Sequence, residues 1–140
     1  MIQAPPFDPE ETTQRFTEVV RSFGIRTVSS DAYAAEWVSA MFRKYGVTVE
    51  AAGLDKSQIY IECLPLFAQG RVQMLDVQQL ATQLRLLERR PRAGGKGDAV
   101  DHPPRGHDDA SNSTCGALWL ASRKSPKSAQ RGSRPEYALT

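Results

Sequence analysis

The sequence predicts an α/β layered domain, a short parallel sheet flanked by helices, followed by a disordered C-terminal tail. Three observations carry this reading. Two amphipathic runs, each closed by a glycine (Gly24 and Gly46), are each followed at once by a short stretch with strand-like alternation. The interval between those stretches holds one helix, which implies parallel pairing through a right-handed crossover. Further on, a loop rich in Pro, His and Asp delivers two adjacent carboxylates to the first turn of a last helix.

The elements follow in order. Pro5 and Pro6 fix an extended lead-in over residues 1–7. Asp8-Pro9-Glu10-Glu11 is a helix start, with Asp8 as N-cap, Pro9 at the first helical position and Glu11 at the capping-box position. Phe16, Val19, Val20 and Phe23 recur at helical spacing and predict the buried face. Ile25 to Ser30 reads as a strand. Beyond it Ala34, Trp37, Val38, Met41, Phe42 and Tyr45 form an amphipathic helical stripe, and Val47 to Ala51 a second strand.

Leu54 to Gln69 predicts a third helix capped near Asp55, with Ile59, Tyr60, Cys63 and Phe67 inward and Pro65 imposing a kink or an early end. Arg71 to Leu75 is short and β-like. Asp76 then predicts a cap for a fourth helix, with Gln79 in the capping-box position and Val77, Leu80, Leu84 and Leu87 buried. The expected order is therefore αβαβαβα, a loop, and a final helix over Ala110 to Ala121 whose small residues let it approach the sheet closely. After Ser122, basic residues spaced by Ser, Pro, Gly and Gln predict a disordered tail. The domain boundaries are thus 1–121 and 122–140.

Bulk properties narrow the function classes. A chain of 140 residues has room for a single core, and 40% hydrophobic with 24% charged residues is ordinary for a soluble protein. The formal charge of +2 does not by itself argue for nucleic-acid binding. No signal peptide and no membrane-spanning apolar run is visible, and Cys63 and Cys115 lack C-x-x-C spacing. A cytoplasmic protein with reduced thiols is expected.

Candidate chemistry concentrates between Asp98 and Asp109, where four acids and the only two histidines of the chain fall in a stretch broken by Pro103, Pro104 and Gly106. Carboxylates this crowded need positive compensation, and an oxygen-preferring divalent cation is the usual source. Against that stands a plainer role, with Asp108 capping the last helix and Asp109 complementing its dipole. Asp31 follows the first strand, at the sheet edge where ligands gather in open α/β folds, although the residues alone favour its plainer role as cap of the next helix. Arg89, Arg90, Arg92, Lys96 and Arg105 make residues 88–105 locally basic, suited either to phosphate contacts or to simple solvation. Gly94-Gly95-Lys96-Gly97 lacks the spacing and the Ser or Thr of a phosphate-binding loop.

A family resemblance rests on these same residues. Gly94-Gly95-Lys96, Val100-Asp101-His102-Pro103-Pro104 and Gly106-His107-Asp108-Asp109 resemble the end of the nuclease domain in large terminase subunits of tailed bacteriophages. Pro5 to Glu10, Asp31-Ala32-Tyr33-Ala34, Ile59-Tyr60 to Leu66 and Leu86 to Arg90 fall in the same order, so the likeness spans residues 4–121. It implies an RNase H-like fold and Mg²⁺- or Mn²⁺-dependent cleavage of double-stranded DNA during genome packaging, by a two-metal site. Carried over, it makes Asp31 and Asp109 catalytic, Asp31, Asp108 and Asp109 metal ligands, and Arg90, Arg92, Lys96 and Arg105 DNA contacts. The implied partners are the remaining terminase segments, the small terminase subunit and the portal, in the cytoplasm of a bacterial host.

The departures from that pattern shape the expectation. The family's first strand carries a leading acid, and residues 1–7 hold no acid. No ATPase phosphate-binding loop is present, and Ala110-Ser111-Asn112-Ser113 replaces a Leu-Ala-Asn-Ala run. The reading is therefore an N-terminally truncated nuclease domain, inactive alone, with an unpaired sheet edge. The alternatives are a non-catalytic DNA-binding or assembly fragment, or an inert prophage remnant.

Overall fold

The computed structural model describes residues 6–30, 36–94 and 97–123. Its elements are α1 (Pro9–Ser22), β1 (Thr27–Ser30), α2 (Glu36–Lys44), β2 (Thr48–Ala51), α3 (Lys56–Ala68), α4 (Gln78–Arg85), β3 (Glu88–Pro91), β4 (Asp98–Asp101) and α5 (Asp109–Arg123). The expectations for residues 1–5, for Asp31 to Ala34, for Lys96 and for the tail from Lys124 onward lie outside the described residues.

Local chemistry sets the first half. The Asp8 carboxylate accepts from the N–H groups of Glu10 and Glu11 at 2.7 and 2.9 Å, leaving Pro9 where no N–H is needed. At the far end Gly24, with φ +73°, lets Gly24 N–H reach the Arg21 carbonyl and Ile25 N–H the Val20 carbonyl. Gly46 repeats this closure at α2, bonding Arg43 while Val47 bonds Phe42. Each closure feeds straight into a strand. β1 and β2 pair in parallel, with Thr27 opposite Thr48 and Val28 opposite Val49, as the short crossover requires.

The buried face of α1 is not the expected one. Thr13 and Thr17 are buried, while Val19 is exposed and Phe23 is 66% exposed. The threonines can go inside because their hydroxyls donate to the Pro9 and Gln14 carbonyls, each at 2.7 Å. On α2, Trp37 is 56% exposed and no residue is fully buried. The helices meet instead at their rims, where Lys44 and the Tyr45 hydroxyl both reach Glu10.

The second half holds the core. Asp55 and Gln58 form a reciprocal capping box at the start of α3. The helix continues past Pro65 to Ala68, so no early end occurs. Ile59, Tyr60 and Cys63 of α3 pack with Val100 of β4 and Cys115 and Trp119 of α5, flanked by Leu84 and Leu87. Cys63 and Cys115 are free and buried, and the Cys63 thiol donates to the Cys115 carbonyl at 3.2 Å. Burial, and next the neighbouring Cys63, pushes the Cys115 thiol up to about 12.

Three expectations need correction here. Arg71 to Leu75 forms no strand and takes no part in either sheet among the described residues. α4 begins after Val77, which makes no side-chain cap bond, so Asp76 lies one residue too early to cap it. The stretch 88–101, expected as basic loop, contains an antiparallel hairpin that pairs Glu88 with Asp101 and Pro91 with Asp98. Its residues are mostly exposed, so no apolar alternation announces it. Backbone pairing and the Arg89–Asp98 ion pair hold it instead. The described sheet is thus two separate two-stranded pieces, β1–β2 and β3–β4.

Trp119 is the largest side chain common to the α3, β4 and α5 packing, so its truncation tests this core. Trp119→Ala should cost about 3 to 5 kcal/mol, read as a lower urea midpoint at unchanged slope. A loss under about 1 kcal/mol would place the core elsewhere.

Candidate functional site

α5 starts where two elements already hold its backbone. The Gln83 side-chain oxygen, buried on α4, accepts from the N–H groups of Ala110 and Ser111 at 2.8 and 3.0 Å. A residue distant in sequence thereby satisfies two of the helix's open donors. The Asp108 carbonyl accepts from Asn112 N–H at 2.7 Å and from the Ser111 hydroxyl at 3.0 Å. The Asp108 side chain is consequently not a cap and is free to point inward.

The approach to α5 is a tight turn. Gly106 N–H bonds the Pro103 carbonyl at 2.9 Å, with Arg105 at φ +65°, a conformation seldom adopted by a residue with a Cβ. Gly106 is required by space, since a Cβ there would stand 2.9 Å from the Pro103 carbonyl oxygen. That same carbonyl lies 2.9 Å from His102 Nδ1. A carbonyl only accepts, so Nδ1 carries the hydrogen and Nε2 is turned toward the acids.

The result is a cluster of Asp101, His102 and Asp108. His102 Nε2 lies 3.7 Å from Asp101 Oδ1 and 4.0 Å from Asp108 Oδ1. Asp108 is only 9% exposed, while Asp101 is exposed at the end of β4. Lys56, from the first turn of α3, places its Nζ 2.6 Å from Asp101 Oδ1 and 3.1 Å from Asp108 Oδ2. The Tyr60 hydroxyl donates to Asp108 Oδ2 at 3.1 Å and stands 2.9 Å from the Ser111 hydroxyl. Beside them the buried Ser57 hydroxyl accepts from Val100 N–H and from Arg92, tying α3 to β4.

The charges shift each other accordingly. Burial pulls the Lys56 ammonium down, but the hydrogen bonds and charges of Asp101 and Asp108 outweigh it, leaving the group above the ordinary lysine range. The Lys56 hydrogen bond holds Asp101 below the ordinary carboxylate range, against a smaller opposing effect of desolvation. Burial raises the Tyr60 phenol, and the Asp108 charge adds to that effect.

Asp109 behaves differently from its neighbour. It is exposed, and no ion pair engages it among the described residues. Asn112 and Ser113, three and four residues on, share its helix face. They line an open groove of about 530 Å³ between α5 and β1, together with Ser30, Lys56, Gly116 and Leu120. The small residues expected to seat α5 against the sheet therefore border open space. Ser30 precedes Asp31, which lies outside the described residues.

Of the expected DNA contacts, Arg90 pairs with Glu88, and Arg92 reaches both Asp55 and the Ser57 hydroxyl. Arg105 is exposed on the turn, and Lys96 is outside the described residues. Sequence reasoning singled out the stretch that holds Asp101 and His102 but did not join them to Lys56 and Tyr60 in one cluster. The available signal was the run Asp101-His102, two groups of metal-binding type side by side. The lysine and tyrosine are four apart on α3, the spacing of one helix face.

No protein-family model matches the chain, and no curated protein matches it. Among solved structures it is similar to the large terminase nuclease from thermophilic phage G20c, with a TM-score of 0.68 and 19% sequence identity. The match covers 84% of this chain and 63% of that one, so the chain spans less than two thirds of the solved nuclease. At this identity the likeness is one of fold. No helix among the described residues is long and apolar enough to cross a membrane.

Two outcomes test this geometry. Gln83→Ala should cost about 1 to 2 kcal/mol in urea unfolding, because it strips two N–H partners from the start of α5. Asp101 is depressed on folding, so its contribution is complete above the unfolded value of roughly 3.9 and disappears as pH falls through the lower folded value. Thermal unfolding followed below pH 5 should therefore show an acid-side loss that is smaller in Asp101→Asn.

Proposed function

We propose that the chain is a divalent-metal-dependent DNA nuclease domain of the phage terminase type. In this reading Asp31 and Asp109 hold Mg²⁺ or Mn²⁺ at the mouth of the α5–β1 groove, with Asp108 directly behind them. The observation that carries it is the shared groove. Ser30 at the end of β1 and Asn112 on the first turns of α5 line one space, although more than half the chain separates them. An acid following the strand and an acid opening the helix are the residues best placed to meet across it.

The donor chemistry of the groove mouth fits such an ion. Asp109 offers an exposed carboxylate with no competing cation bound among the described residues, and Asn112 offers a neutral oxygen on the same face. When bound, the metal would supply an activated water and stabilise the departing oxygen of a DNA phosphodiester. The chain's own part is positioning. Gln83 fixes the first turn of α5, Gly106 sets the loop entering it, and the Tyr60 hydroxyl orients Asp108 so that Asp109 faces outward.

Arg105 and Lys96 would meet backbone phosphates of double-stranded DNA, whereas Arg90 and Arg92 would first have to leave Glu88 and Asp55. Packaging of a genome, with the small terminase subunit, the portal and the remaining terminase segments as partners, is the setting this reading implies. A second reading is a non-catalytic DNA-binding or assembly piece, for which the exposed Arg105 on the turn ahead of α5 is a phosphate contact.

Calorimetry with Mn²⁺ tests the first reading. Wild-type protein should take up the ion, and Asp109→Asn should weaken uptake at least about tenfold, as loss of a charged ligand does. Heat traces flat up to millimolar Mn²⁺ would count against it. A salt-sensitive gel shift of double-stranded DNA in that case would leave the second reading standing.

A further inference from the structure

The Asp101, His102 and Asp108 cluster has the look of a metal centre, yet a cation already sits in it. Lys56 Nζ stands at hydrogen-bond distance from one oxygen of each carboxylate, 2.6 Å to Asp101 Oδ1 and 3.1 Å to Asp108 Oδ2. Asp108 Oδ2 also takes the Tyr60 hydroxyl, so that oxygen has two donors on it. A divalent ion on Asp101 Oδ1 at about 2.1 to 2.4 Å would lie at most about 5 Å from the ammonium, with two like charges facing across a half-buried space. The three donor groups therefore do not fit a divalent ion while Lys56 holds its place.

We infer that Lys56 is the resident cation of this cluster, excluding divalent metal from Asp101, His102 and Asp108 and leaving Asp109 as the α5 acid open to an ion. Lys56 is a positioning residue. Its ammonium joins the start of α3, the end of β4 and the residue before α5 through two charge-assisted bonds. Those bonds turn Asp108 inward, and the helical rotation between adjacent residues then turns Asp109 out toward the groove. Because a lysine is a single point charge on a flexible stem, the cluster keeps net negative charge and needs no rigid ligand geometry. The assignment to Asp109 rests on the metal-dependent reading above, while the exclusion of metal from the cluster does not.

Mn²⁺ calorimetry on four proteins separates the two: wild type, Asp101→Asn, Lys56→Met, and the double variant. With the lysine in place, Asp101→Asn should leave wild-type uptake unchanged within about twofold. Lys56→Met should gain a Mn²⁺ site, or bind at least tenfold more tightly than wild type, and Asp101→Asn should abolish the gain. Lys56→Arg keeps the charge and should gain nothing. Thermal unfolding without metal identifies any variant that fails to fold. Should Lys56→Met fail, the smaller change Lys56→Gln replaces it, and the wild-type and Asp101→Asn pair still decides the exclusion. Wild-type uptake weakened tenfold by Asp101→Asn would overturn the inference, as would a folded Lys56→Met with no added uptake. No uptake by wild type together with a gain in Lys56→Met would remove the metal-dependent reading while upholding the lysine's role.

Discussion

The packing of α5 on α3 is the constraint on which the rest depends. At its apolar end Trp119, Cys115, Cys63 and Ile59 exclude water. At its polar end Tyr60, Ser111, Asp108 and Lys56 complete one another's hydrogen bonds. The two ends are chemically unlike but lie along the same pair of helices. Burying Asp108 would be costly if its oxygens were unpaired, and here both a phenol and an ammonium reach one of them. Every deeply buried side-chain polar atom among the described residues has a partner, as such a joint requires.

That joint also explains how two adjacent aspartates come to face apart. Asp108 is drawn inward by groups on α3, and the helix begins at the very next residue, with its first N–H groups held by Gln83 on α4. With the backbone direction fixed by Gln83 and by the tight Pro103–Gly106 turn, Asp109 is left exposed on the helix face it shares with Asn112 and Ser113. A loop alone would not achieve this, because exposed carboxylates on a mobile segment repel and spread.

The α1–β1–α2–β2 half is built on weaker terms. Its strands are four residues long, and its helices leave Phe23, Val19 and Trp37 at the surface. Among the described residues β1 pairs only with β2, and exposed apolar surface of this kind favours association. The solved nuclease that shares the fold is longer than this chain, which spans 63% of it.

How much was legible follows from which forces act locally. Asp8, Asp55 with Gln58, and the glycines at 24, 46 and 70 act on backbone groups within a few residues, so the helix ends could be read from the letters alone. The parallel pairing of β1 and β2 followed from the length of the crossover. The hairpin of β3 and β4 could not be read, because most of its residues are exposed and polar, with Val100 alone fully buried, and its pairing is made by backbone. The buried threonines of α1 likewise ran against the apolar periodicity, since their hydroxyls are satisfied within the helix. The sequence by itself determined where chemistry would gather, in the stretch ending at Asp108 and Asp109. Only the tertiary structure decided that Lys56 and Tyr60, more than forty positions earlier, would claim Asp108 and leave Asp109 exposed. Charge pairing across such a separation depends on how helices pack, and no local rule of periodicity or capping encodes it.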